Sequence, residues 1–78
     1  MPTNHQEKTG IMEVVGGIRT EDDALAIRAG LTDLPGVRTV SLIGMAIQIR
    51  YDSQLIAPPQ LYEAAKIAGF KPREFHLV

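Results

Sequence analysis

The sequence predicts an α+β domain of the ferredoxin-like type, a βαββαβ sandwich with two helices on one face of a four-stranded antiparallel sheet. Three observations support it. The chain has 78 residues, enough for one small domain and too few for two. Hydrophobic residues make up 45% of it and charged residues 22%, as in soluble globular proteins. Four short aliphatic runs and two segments of helical periodicity follow one another in the order that this fold requires.

The first strand and the first helix are predicted from the segment that ends at Pro35-Gly36. The run from Ile11 to Gly16 is short, aliphatic and closed by two glycines, which favours a strand over a helix. Thr20 can cap a helix whose first turn holds three acidic residues, an arrangement favourable to the helix dipole. The stripe that this helix would bury consists of Ala24, Ile27, Leu31 and Leu34.

A β-hairpin is predicted next. The segment from Val37 to Ile43 is rich in β-branched and aliphatic residues, and Gly44-Met45 supplies a turn. Beyond the turn, apolar residues alternate with polar ones, which is typical of a half-buried strand. The apolar positions of that second strand are Ile47, Ile49 and Tyr51.

The second helix and the last strand complete the pattern. Pro58-Pro59 can open a helix, since the first helical amide needs no partner, and Gly69 ends it. The segment from Arg73 to Val78 is predicted to be the closing strand. The apolar stripe of the second helix consists of Leu61, Ala64, Ala65 and Ala68.

The charge of the chain and its terminal segments argue against some classes of function. Eight Lys and Arg stand against nine Asp and Glu, and the scattered cations offer no footprint for nucleic acid. Residues 1–10 are polar and are predicted to be a disordered tail before one domain over 11–78. No secretory signal and no apolar run of about 20 residues is visible, which predicts a cytoplasmic protein without membrane insertion.

Several of these residues occur together in an order typical of a known family. The chain resembles the heavy-metal-associated (HMA) domain of copper chaperones and metal-transporting ATPases, which reads G-M-T-C-x-x-C, then L-x-x-L-P-G-V, Y-D and A-G-Y or A-G-F. The similarity extends from Ile11 to about Lys71 and implies the ferredoxin-like fold and a role in heavy-metal transport. The matching segments are Gly17 to Asp23, Ile27, Leu31, Leu34 to Val37, Val40, Tyr51-Asp52 and Gly69-Phe70.

The resemblance lacks the motif that defines the family. Thr20 and Asp23 occupy the two positions where the family has its metal-binding cysteines, and the chain contains no cysteine. Copper(I) selects soft sulfur ligands, so the soft-metal site is predicted to be lost. Thr20 followed three residues later by Asp23 instead resembles a variant capping box, which would turn the metal loop into a helix cap.

The resemblance also implies a docking surface. In this topology the end of the first strand, the hairpin turn and the start of the last strand lie at the same end of the sheet. Chaperones of the family dock through that end. The predicted interaction surface consists of Ile18, Arg19, Thr20, Met45, Phe70 and Lys71.

The first strand poses a conflict of register. The family pattern points Val15 towards the helices, and strict alternation then turns Glu13 inward, which is costly for an unpaired carboxylate. Two alternatives remain open. A bulge near Gly16-Gly17 shifts the register, or an apolar patch lines the open face of the sheet and receives a partner or a second copy. That patch would consist of Met12, Val14 and Ile43.

A metal site built from harder ligands is the alternative to a lost site. The consecutive acids Glu21 to Asp23 fan out by about 100° per residue and cannot easily converge on one ion. If the tail folded back, His5, His76 and Glu13 could approach one another and bind a divalent ion such as zinc weakly. No other cofactor is predicted.

Catalysis is not predicted, because the sequence has no Gly-rich phosphate loop, no cysteine nucleophile and no Ser with a plausible histidine base. Two hypotheses follow. The first is a non-catalytic, HMA-like protein whose partner is another protein, either a component of metal transport or a second copy in a homodimer. The second is a metal-binding or trafficking protein that uses oxygen and nitrogen ligands, through Asp23 or through the two histidines.

Overall fold

The computed structural model describes residues 7–78, and it confirms the predicted fold class. The four strands form one antiparallel sheet in the order β2-β3-β1-β4, and the two helices cover one of its faces. The elements are β1 (Glu7–Val14), α1 (Glu21–Thr32), β2 (Val37–Ile43), β3 (Ala46–Asp52), α2 (Pro58–Ile67) and β4 (Pro72–Leu77).

The first strand is longer than predicted. It begins at Glu7 rather than Ile11, and its first residues pair with β3 from Glu7 opposite Asp52 onwards. The prediction of a disordered tail is therefore wrong for residues 7–10, and residues 1–6 lie outside the described part of the chain. The polarity of this segment has a structural cause, because Glu7 lies on the open face and forms an ion pair with Arg50 at 2.6 Å.

β1 faces the opposite way from the register that the family pattern implies, in which Val15 and Glu13 would point towards the helices. Met12 and Val14 are fully buried against the helices, whereas Glu13 and Val15 are exposed. The irregularity lies in the pairing with β4 between Met12 and Val14, not at the two glycines. This register keeps the Glu13 carboxylate in water, which removes the cost of burying it.

The predicted apolar patch on the open sheet face is therefore wrong, because Met12 and Val14 belong to the core. Ile43 is 55% exposed and stays outside the core. Its two supposed neighbours lie on the other side of the sheet, so these three residues offer no joint surface for a second copy.

The core lies between the sheet and the helices. Ile27 and Leu31 are the buried residues of α1, and Leu61 and Ala65 are those of α2, as the two predicted stripes require. These four side chains form one core with residues of β1, β2 and β3 and of the loop before α2. The remaining core residues are Met12, Val14, Val40, Ile47, Ile49, Tyr51 and Ile56.

The open face of the sheet carries ion pairs. Arg38 lies 3.5 Å from the buried carboxylate of Asp52 and 3.7 Å from Glu7, which also pairs with Arg50. Because these charges satisfy one another, this face does not need an apolar cover. Within residues 7–78, no helix is both long and apolar enough to cross a lipid bilayer.

Candidate functional site

The loop from Val15 to Thr20 connects β1 to α1. It lies where the HMA family, which the sequence resembles, has its metal-binding loop. Gly16 and Gly17 both have positive φ angles, 84° and 73°, which only glycine adopts at little cost. The Gly17 N–H donates to the carbonyl of Val14 at 3.0 Å. The two glycines thus turn the chain sharply at the end of the strand and lead it towards the helix.

The start of α1 shows what Thr20 and Asp23 do. Thr20 is the N-cap, with φ −132° and ψ 166°, and its Oγ1 accepts a hydrogen bond from the Asp23 N–H at 3.1 Å. Asp23 Oδ2 accepts a hydrogen bond from the N–H of Arg19 at 3.3 Å. A standard capping box would return to the N-cap residue itself, so the Asp23 carboxylate closes the loop one residue earlier.

The hairpin tip and the start of β4 clamp the end of β1. The Val14 N–H donates to the carbonyl of Met45 at 2.9 Å, and the Val15 N–H donates to the carbonyl of Lys71 at 2.8 Å. A side chain at Gly17 would contact Met45 at 3.4 Å. The predicted neighbours from three separate segments are thus brought to one end of the domain.

The predicted interaction residues have different surroundings. Ile18 and Phe70 pack against the core and are only partly exposed, whereas the Met45 side chain is 60% exposed at the hairpin tip. Arg19, Thr20 and Lys71 are exposed. A shallow groove of about 330 Å³ lies beside them, lined by Val15, Gly16, Gly17, Arg19, Asp23, Gly69, Phe70 and Lys71.

The sequence prediction missed Val15, whose exposed side chain lines this groove. One signal in the sequence favoured an outward Val15. The cost of burying an unpaired carboxylate turns Glu13 outward, and a regular strand then turns Val15 outward two residues later. The family pattern implied the opposite register.

The chemistry of this loop does not suit a thiophilic ion. The Thr20 hydroxyl oxygen and one Asp23 carboxylate oxygen already accept hydrogen bonds from the backbone. Neither group is a soft ligand. Within the described range 7–78, no group of three His, Asp or Glu side chains is placed to hold a metal ion.

The second predicted metal site lies elsewhere. Glu13 and His76 line one groove beside β4, together with Glu74, whose carboxylate lies 3.8 Å from His76 Nε2. His5, the third predicted ligand, lies outside the described residues. Two of the three predicted ligands are thus close to one another, at a distance from the loop that holds Thr20.

Comparison with known proteins gives a result for the fold. No family model matches the sequence, and no curated protein matches it. Solved structures do match. Oxidized MerP from Ralstonia metallidurans CH34 superposes with a TM-score of 0.78 at 16% identity, over 86% of this chain and 94% of that one. A copper binding domain from HMA7, a P-type ATPase, gives a TM-score of 0.77 at 18% identity, over 91% and 93%.

A third match is the N-terminal domain of PacS from Synechocystis PCC6803, with a TM-score of 0.73 at 20% identity, over 91% of this chain and 97% of that one. The chain has the fold of the heavy-metal-associated domains. Each of these solved chains is covered almost completely, so the likeness extends over the whole fold and not over a fragment. At such low identity it shows the fold, and the function has to be argued from the residues of this chain.

Proposed function

We propose that this chain is a non-catalytic domain of the HMA fold that binds another protein and has lost the soft-metal site. One observation carries the proposal. Thr20 and Asp23, at the two cysteine positions of the motif, are hydrogen-bonded to the backbone as a helix cap. An ion at this loop would have to replace those bonds while gaining only one hydroxyl and one carboxylate as ligands.

The candidate docking surface is the loop end, defined as the six residues predicted from the sequence: Ile18, Arg19, Thr20, Met45, Phe70 and Lys71. Met45 is its most exposed apolar residue, and the flexible thioether adapts to differently shaped partners. Arg19 and Lys71 are exposed cations of the same end and line its groove with Phe70. An exposed apolar centre with a charged rim is the usual composition of a protein interface, so a component of metal transport or a second copy is the partner we propose.

The metal part of the proposal is tested by titrating the purified chain with copper(I), zinc and calcium while recording amide chemical shifts. We expect no saturable change at the loop with any of the three ions. Saturable shifts at Thr20 and Asp23 with copper(I) would contradict the proposal.

The alternative function is binding of a divalent ion through oxygen and nitrogen ligands beside β4. Glu13 and His76, two of the three predicted ligands, line one groove there. An ion at this place would need a further ligand such as His5, because no three His, Asp or Glu side chains of residues 7–78 are placed to hold one. Zinc-dependent shifts confined to this groove, and lost in a His76→Ala variant, would support the alternative. Glu21→Gln, which changes an exposed acid on another surface, is the control and should leave such binding intact.

The docking part is tested by site-specific photo-crosslinking in the producing cell. A photoreactive residue at Met45 should give a discrete crosslinked product with another protein or with a second copy. Leu55 is the matched control, because it is 58% exposed and lies in the loop before α2, away from the loop end. The same products from both positions would contradict docking through the loop end.

A further inference from the structure

The two helices enclose an apolar groove on the side of the domain that faces away from the sheet. The groove has a volume of about 340 Å³ and is lined only by apolar residues. A side-chain carbon at Gly30 would lie 3.7 Å from Ala68 Cβ, which shows how closely the helices approach. This helix groove is lined by Ala26, Gly30, Leu34, Ala64, Ile67 and Ala68.

One wall of the helix groove is a large aliphatic side chain in solvent. Ile67 is 78% exposed in the last turn of α2. It does not belong to the core, which contains Leu61 and Ala65 from the sheet-facing side of the same helix. The groove thus combines a depression formed by small residues with an exposed aliphatic side chain at its edge.

Exposed acidic residues continue the rows of side chains that line the helix groove. Asp22 precedes Ala26 by four residues, and Glu63 precedes Ile67 by four, so each lies one turn away on the same side of its helix. Asp33 follows Gly30 by three residues. Because the start of α1 and the end of α2 lie at the same end of the domain, these three acids flank the groove at both of its ends.

The cations of the helices lie on other sides. Arg28 follows Ala26 by two residues, about 200° further around α1. Lys66 follows Ala64 by the same interval, and its Nζ lies 5.8 Å from the centre of the Tyr62 ring. Lys66 also follows Glu63 by three residues and so neighbours that acid on α2. Within residues 7–78, however, neither cation lines the groove or forms an ion pair with Asp22, Asp33 or Glu63.

The C-terminal end of α1 adds to the negative potential. Asp33 is the C-cap of α1, and the last turn of that helix contains no basic residue. The helix dipole is negative at this end, so the Asp33 carboxylate is placed where it repels the partial charge of the helix. A cation supplied from outside would relieve that repulsion.

We propose that the helix groove binds a cationic amphipathic segment of a partner protein. Its apolar side chains would occupy the groove beside Ile67, and its Lys or Arg side chains would meet the acids Asp22, Asp33 and Glu63. A second copy of this chain would bring the same acids against one another. This surface lies on the helices and shares no residue with the loop end.

The test uses the full chain, labelled with nitrogen-15, and a synthetic helical peptide of about 14 residues with Leu on one face and Lys on the other. We expect saturable amide shifts at the groove residues, weaker binding as salt is added, and no such shifts with the same peptide carrying Glu for Lys. Ile67→Gln should abolish the shifts. Ile43→Gln, at an exposed isoleucine on the open sheet face, should leave them unchanged.

Neutralising the acids tests the charge argument separately. The double variant Asp33→Asn with Glu63→Gln should weaken binding of the Lys peptide roughly five-fold. That is the loss of affinity expected when two exposed ion pairs are removed. Glu13→Gln with Glu74→Gln, which removes two exposed acids beside β4, should not. Equal binding of both peptides, no shift with either, or self-association that maps to the groove would each overturn the proposal.

Discussion

The backbone N–H of Asp23 donates a hydrogen bond to Thr20 Oγ1 over 3.1 Å, and this bond joins the two positions where the HMA motif has its cysteines. In the motif, both side chains would have to be free to reach an ion. Here Thr20 fixes the first turn of α1, and the Asp23 carboxylate fixes the preceding loop through the Arg19 N–H. The loop is therefore held by its own hydrogen bonds without a metal.

Replacing Thr20 by Ala should lower the free energy of unfolding by about 0.5–2 kcal/mol, because the Asp23 N–H loses its acceptor. Chemical denaturation of the purified chain measures this loss. Thr20→Ser keeps the hydroxyl oxygen and is the matched control, so it should retain most of the stability. An unchanged midpoint for Thr20→Ala would remove the capping argument.

Introducing cysteines at positions 20 and 23 should supply the chemistry of the motif. The double variant Thr20→Cys with Asp23→Cys has one thiol at the N-cap of α1 and one in its first turn. We expect it to bind one copper(I) ion and expect no such binding by the original chain. Competition against a coloured copper(I) chelator measures the gain.

The single variants Thr20→Cys and Asp23→Cys are the controls for this experiment. Each offers one thiolate, so each should bind copper(I) much more weakly than the double variant. If the double variant folds and still fails to compete with the chelator, the loss of cysteines is not what separates this chain from copper-binding domains of the same fold.

The order of the elements could be predicted from the sequence because strong local signals mark each boundary. Pro35-Gly36 stops α1, Gly44 opens the hairpin, and Pro58-Pro59 starts α2. Gly36 illustrates why such signals are reliable: its φ of 96° suits glycine, and a side chain there would lie 2.8 Å from Leu55 Cβ. The solved structures that superpose on this chain confirm the predicted fold class.

The facing of β1 could not be predicted, because the strand is apolar on both sides near its end. Met12, Val14 and Val15 allow either register, and only the cost of burying Glu13 discriminates between them. The start of β1 was missed for another reason. Glu7 belongs to the strand through its pairing with Asp52 and its ion pair with Arg50, and both partners are distant in the sequence.

The residues of the candidate site also divide into those that local sequence predicts and those that depend on distant parts of the chain. The N-cap role of Thr20 depends on residues three positions apart, so it was readable from the sequence. The exposed position of Val15 depends on the register of the whole strand, which the pairing of β1 with both of its neighbours fixes.

Gly10 in β1 has no side chain, and the ring of Phe75 fills the space that a side chain would occupy. A side-chain carbon at Gly10 would overlap that ring, which also contacts Tyr51 edge to face at 5.9 Å between centroids. Gly10→Ala should therefore lower the free energy of unfolding by about 1–3 kcal/mol, the usual cost of overpacking. Thermal or chemical denaturation measures the change.

A double-mutant cycle separates this clash from any intrinsic effect of alanine in a strand. Phe75→Leu removes the ring, so adding Gly10→Ala to that variant should cost clearly less than it does in the original chain. Equal costs in both backgrounds would show that the ring is not the reason for a glycine at this position.

Tyr51 should make the domain sensitive to alkaline pH. Tyr51 is 1% exposed, and burial raises the pKa of its phenol above the ordinary value of 10.0. The folded state then holds this proton more tightly than the unfolded state. The stabilisation is fully present below the unfolded pKa and is lost as the pH rises through the raised pKa of the folded state, so the loss begins near pH 10.

Denaturation in urea at several pH values from neutral to alkaline measures this loss directly. Tyr51→Phe keeps the ring and removes the titrating group, so its stability should fall less above pH 10 than that of the original chain. Other groups also titrate in this range, and the difference between the two proteins isolates the contribution of Tyr51. Tyr62→Phe, in α2, is the matched control and should leave the alkaline loss in place. If Tyr51→Phe loses stability as steeply as the original chain, burial of this phenol does not contribute to the pH dependence.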